Sequence, residues 1–179
     1  MRHGAFAWCA AVLFIAAQQG AAQSNLPVPK REEETQTREL DVPLPEYPLP
    51  GSLVRFPTNW TTNAIFVDHK TLSVAGDGVV RFAMVVRSSS GAETVSFEGI
   101  RCVTGERRVY AYGRRTADGG TWSAALGSTW RQINDSRINR HYYEFWRDVF
   151  CDGSMPDGRR EILKNIESGG RERVRGLPD

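Results

Sequence analysis

The chain is poor in the residues that most often mark a catalytic protein. It has only three histidines, His3, His69 and His141, and neither an H-x-x-x-H nor an H-E-x-x-H spacing. A zinc site built on a helical histidine pair is therefore excluded. There is no G-x-S-x-G, so the nucleophile elbow of an α/β hydrolase is absent. The turns "GDG" and "DGG" lack the lysine and helix start of a phosphate-cradling loop. Lysine is scarce, since 20 of the 23 basic residues are arginine. The arginines are spread along the chain, and the formal net charge is only +2. That is not the concentrated basic footprint of a nucleic-acid binder. After residue 17 no apolar run is long enough to span a bilayer.

What the chain does have begins at its start. Met1-Arg2-His3 is a short basic segment, and Ala5 to Ala17 (AFAWCAAVLFIAA) is apolar but short for a membrane span. Gly20-Ala21-Ala22 supplies small residues at a cleavage site. Residues 1–22 thus read as a signal peptide cut after Ala22, which makes the mature protein periplasmic or secreted. Of three cysteines, Cys9 leaves with that segment. Cys102 and Cys151 remain as an even pair in an oxidising compartment, and a structural disulfide is expected between them. Six of the nine prolines fall between Pro27 and Pro50, so residues 23–50 read as an extended arm that either folds back or reaches another subunit of a homodimer.

From Leu53 the pattern is that of short strands. Residues 63–68 and 70–75 are β-prone, and Gly76-Asp77-Gly78 is a turn. In 79–87, Val80, Phe82, Met84 and Val86 alternate with Arg81 and Arg87. Residues 94–102 and 107–113 alternate again, and the second run places Arg108, Tyr110 and Tyr112 on one face. Tight turns between successive strands favour an antiparallel meander of about five or six strands. Residues 114–137 read as a loop anchored by Trp122 and Trp130. On a helix over 138–150, Ile138, Tyr142, Phe145, Trp146 and Val149 form one apolar stripe. His141, Glu144 and Asp148 fall on a solvated side, with Glu144 paired to Arg140 and Arg147. A second helix is expected over 157–168, with Asp157 as N-cap and Gly169-Gly170 as stop. The expected plan is α+β: a domain over 51–168, a meander sheet with one or two C-terminal helices packed on it, one disulfide, and a loose tail over 169–179.

The pieces "FVDHKTLSVAGDGVVRFAMVVRSSSGAETVSFEGIRC", "ERRVYAYGR", "W…WRQI" and "FWRDVFC" resemble the CNP-like (cryptic neisserial protein) family of secreted proteobacterial proteins. The likeness runs from about Leu44 to Cys151. It implies location and architecture but carries no catalytic residues. A weaker likeness to surface-adhesin E-type domains is one of plan alone.

The residues point to binding rather than catalysis. Arg108, Tyr110 and Tyr112, with Arg101 near the end of the neighbouring strand, mix cations with aromatics. If the helix leaves that face open, it suits an anionic polymer or an envelope or host protein. If the helix covers it, the tyrosines are core. No metal or cofactor is expected. The alternative is an envelope hydrolase acting on cell wall or glycan, for which Glu93, Glu98 and Glu144 are the candidate acids and His141 the candidate histidine.

Overall fold

The structure, a computed structural model, describes residues 39–41, 43–136 and 138–171. The expected signal peptide and the first part of the arm lie outside the described residues, as do the last eight residues of the tail.

One antiparallel sheet organises the domain. Its strands are β1 (Leu53–Phe56), β2 (Ala64–Asp68), β4 (Val79–Arg87), β5 (Glu93–Arg101), β6 (Glu106–Thr116) and β7 (Gly119–Ala124), hydrogen-bonded in that order. Two short strands attach to it, β3 (Ser73–Val74) on β4 and β8 (Arg131–Gln132) on β6. The expected meander is present, and the α+β plan holds. Residues 114–137 are not the loop their composition suggests. β6 runs on to Thr116, and Ala117-Asp118 turns it into β7 with Thr116 opposite Gly119.

The alternation in β4 divides the sheet into two faces. Val80, Phe82 and Met84 face the helices and join Phe56, Ile65, Val67 and Ile100 in the core. The helix expected over 138–150 is α1 (Arg140–Glu144) continued by a π-helical segment, Phe145–Phe150. Bonding from i to i+5 widens that last stretch. It brings Phe145 and Phe150 to the same side, their rings stacked with centroids 5.0 Å apart. Phe82 packs edge-on against both, at 5.8 and 4.8 Å. These three rings are fully buried, and each contributes roughly 1.5–3 kcal/mol relative to exposure. Ile138 is 87% exposed and lies off the stripe, because the helix begins after it.

Cys102, just past β5, is bonded to Cys151 at the start of β9 (Cys151–Asp152), with Cα atoms 5.6 Å apart. The expected disulfide is therefore made, and it fastens the end of the π-helical segment to the sheet. The chain then forms a hairpin of β9 with β10 (Met155–Pro156) and enters α2 (Arg159–Ser168). Asp157 does not cap α2. Its carboxylate instead meets Arg171 and Asn165, and Gly158 takes the cap position without a side-chain bond. Gly169 ends α2 in the left-handed conformation at φ 80°, as the sequence suggests.

The second face of the sheet is covered by the described part of the arm. Trp122 Nε1 donates to the Pro45 carbonyl at 2.8 Å. The Tyr47 ring packs on Trp122 and lies directly over Gly120, where an added Cβ would stand 2.5 Å from its ring atoms. Glycine at 120 is what lets the arm lie this close.

Candidate functional site

β6 carries the residues singled out for binding, and a β-bulge decides where they go. Opposite β5, Glu98 pairs with Val109 but Phe97 pairs with Ala111, so Tyr110 is the extra residue. Arg108 and Tyr110 therefore stand on the arm-covered face, while Tyr112, opposite Ser96, is switched to the helix side. Arg101 belongs to the arm-covered face as well. Simple alternation misses this, since a bulge reverses the parity of every residue after it.

On the arm-covered face the cations are matched internally. Arg81 is 1% exposed and makes a bidentate pair with Asp77, at 2.6 and 3.1 Å. Burial works to raise the Asp77 pKa, but the Arg81 hydrogen bonds and the Leu40 and Val79 N–H groups outweigh it and hold it below the usual range. Glu39 accepts from Arg108 at 2.8 Å and from Trp130 Nε1 at 3.1 Å. Arg101 lies 4.1 Å over the Trp130 ring and pairs with Glu106 at 3.3 Å. A cavity of about 290 Å³ remains, lined by Glu39, Leu40, Asp41, Arg81, Phe97, Arg108 and Tyr110. The helix does not cover this face; the arm does. Tyr110 is pushed well above its ordinary pKa, first by burial and then by Glu39.

The helix side holds the strongest perturbations. Glu98 is 2% exposed. Its Oε1 accepts from Ser96 Oγ at 2.5 Å and Tyr142 Oη at 2.9 Å, and its Oε2 has no partner among the described residues. Burial raises its pKa against those two bonds and the nearby Arg107 charge. His141 is mostly buried rather than solvated. Its ring lies 6.4 Å from Trp60 and nearly parallel to it, and 4.1 Å from Tyr142. Its pKa is pushed down to about 4, by burial first and by Arg107 second. Glu144 is held by Arg140 at 3.0 Å and Trp60 Nε1 at 3.1 Å, and no Arg147 pair forms with it. Packing from Trp60, which precedes β2, turns the expected solvated side of α1 into an interior surface.

Beside this cluster lies a trough at the start of β6. Two cavities, about 500 and 180 Å³, share Arg107 and Arg131 as lining residues. Tyr112, Ser128 and Thr129 line the first, and Asn134, Asn139 and Tyr142 the second. Arg107 lies 4.0 Å over the Tyr142 ring. Neither Glu98 nor His141 lines these cavities or the one under the arm. Among the described residues no group of three or more His, Cys, Asp or Glu could hold a metal ion.

A family model described as the CNP1-like family matches residues 32–167. The chain belongs to the CNP1-like family. No curated protein and no solved structure matches it, so the adhesin-like plan gains no support from a fold comparison. The match spans both cysteines, the arm contacts at Glu39 and Tyr47, and the trough. Family membership thus covers the whole described architecture up to the penultimate residue of α2. No helix among the described residues is long and apolar enough to cross a membrane.

Proposed function

We propose that this CNP1-like protein is a non-catalytic binding or structural protein of the bacterial envelope, periplasmic or secreted, whose partner is an envelope or host protein or an anionic polymer. One observation carries the reading. The two groups with the chemistry of an acid and a base, buried Glu98 and mostly buried His141, open into none of the three cavities described. A glycoside hydrolase needs two carboxyl groups facing substrate across a cleft. The cavity under the arm holds Glu39 and Asp41, but both lie on one stretch of the arm and Glu39 is committed to Arg108 and Trp130. The other two cavities have no acid and present arginines, tyrosines, hydroxyls and amides, which recognise rather than cleave. The perturbed pKa values follow from burial inside a packed layer, which is sufficient cause without catalysis.

The test uses the mature protein against purified cell wall and soluble glycans, with release of reducing ends as readout. Wild type is expected to release nothing above a boiled control. Release that disappears in Glu98→Gln or His141→Phe, while both variants stay folded, would overturn the non-catalytic reading in favour of an envelope hydrolase.

A further inference from the structure

Arg107 on β6 and Arg131 on β8 are direct partners in the antiparallel ladder. Their side chains leave the sheet on the same side, and like charges placed opposite each other are destabilising. Other arginines of the protein are matched by acids: Arg81 with Asp77, Arg108 with Glu39, Arg101 with Glu106 and Arg140 with Glu144. Among the described residues no acid pairs with Arg107 or Arg131, and no acid lines either cavity that they share. Glu98 is a buried carboxyl that feels the Arg107 charge, but it is committed to Ser96 and Tyr142. Arg107 is also stiffened by its stacking on Tyr142, which lowers the entropy lost when its guanidinium engages a ligand.

From this unneutralised pair we infer that the Arg107–Arg131 trough is a binding site for the carboxylate or phosphate group of an acidic saccharide. Two guanidinium forks suit a planar or tetrahedral oxyanion. The surroundings specify the carrier. Ser128, Thr129, Asn134 and Asn139 offer hydroxyl and amide partners for sugar hydroxyls, and Tyr112, 52% exposed, offers a ring face at the rim. Val109, Ala124, Ala125 and Leu126 also line the first cavity, so an acidic peptide is the rival occupant, and polyglutamate tests for it. The inference rests on the non-catalytic reading only in taking the ligand to be held and not cleaved.

The experiment is calorimetric titration of the mature protein at low salt with four probes. These are oligogalacturonate, a phosphorylated maltooligosaccharide, neutral maltoheptaose and polyglutamate. At least one of the two acidic oligosaccharides is expected to bind, and which one does so separates carboxylate from phosphate. Maltoheptaose and polyglutamate should bind at least tenfold more weakly. R107Q and R131Q should each weaken binding about tenfold, or about 1.4 kcal/mol. R160Q, on the exposed start of α2, should leave it unchanged. Arg131 is exposed, so R131Q keeps the test valid if R107Q fails to fold, and its thermal midpoint should not fall. The site is refuted if neither acidic oligosaccharide binds, if polyglutamate binds as tightly, or if R160Q weakens binding as much as R131Q. Binding followed by cleavage of the probe would uphold the site and overturn the non-catalytic reading alone.

Discussion

Glu98 and His141 sit on either side of Tyr142 and are expected to give opposite pH dependences, each of which a single substitution removes. In the unfolded chain Glu98 has its ordinary value of 4.5, and folding raises it, chiefly by burial. Above pH 4.5 the unfolded state releases a proton that the folded state keeps. Its contribution is therefore complete below 4.5 and is lost as pH climbs towards the folded value, at about 1.4 kcal/mol per pH unit. His141 behaves in reverse. Its value falls from 6.5 to about 4 on folding, so the unfolded state takes up a proton first as the solution is acidified. Stability from the neutral, buried imidazole is complete above 6.5 and is lost between 6.5 and about 4. The full shift corresponds to about 3 kcal/mol, and the partial exposure of the residue reduces the expected loss to about 2 kcal/mol. Between pH 4.5 and 6.5 the two slopes oppose each other in wild type. Urea unfolding by tryptophan fluorescence at half-unit steps from pH 4 to 8 separates them. E98Q should gain on wild type as pH rises above 4.5, although it places an amide where Oε2 had no partner. H141F should gain on wild type as pH falls below 6.5. Curves parallel to wild type across this range would refute the assignment of both groups to the interior.

The other expectations concern the staple, the buried ion pair and the arm. Replacing both cysteines, C102A/C151A, releases a loop with a sequence separation of 49 and should cost about 4 kcal/mol in urea, with dithiothreitol giving the same loss in wild type; a loss under about 1 kcal/mol would show that the bridge does not constrain the unfolded chain. R81M should cost about 3–5 kcal/mol because it strands the buried Asp77 carboxylate, and the double variant R81M/D77N should recover part of that loss, both read from urea midpoints. G120A should lift Tyr47 from the sheet at a cost of about 1–3 kcal/mol, with a red shift in Trp122 emission that Y47A alone reproduces; unchanged emission would mean that the arm is not seated there.

The strands were legible because alternation is a local signal. β4 shows it best: Val80, Phe82 and Met84 are core, as their period of two indicates. The disulfide was legible from arithmetic and compartment, without geometry. What escaped the sequence depends on partners far along the chain. Arg81, between Val80 and Phe82, alternates away from the apolar face, yet it is buried because Asp77 and the arm at Leu40 meet it there. Nothing near position 81 encodes residue 40. His141 and Glu144 read as a helix surface because Trp60 lies 84 residues before Glu144 and carries no periodicity that ties it to α1. Likewise β7 was hidden in Gly- and Ser-rich sequence, since its place in the sheet is fixed by Trp122 meeting the arm at Pro45 and Tyr47.

The candidate site follows the same logic one level higher. A period of two sets Arg107 on the face opposite Arg108, Tyr110 and Tyr112. Arg131 falls in a segment whose composition reads as loop. Each is unremarked alone, and only the two-residue pairing of β8 with β6 sets them face to face. The bulge at Tyr110 then adds Tyr112 to the same side and leaves Arg108 and Tyr110 on the other, where Glu39 meets Arg108. So the binding chemistry foreseen on one face is divided by a single extra residue into two environments. One is closed by the arm's own carboxylate. The other keeps two positive charges with no acid paired to them among the described residues, Arg131 exposed and Arg107 half-buried against Tyr142, and that difference in pairing is what makes the trough, rather than the arm-covered face, the place to look for a ligand.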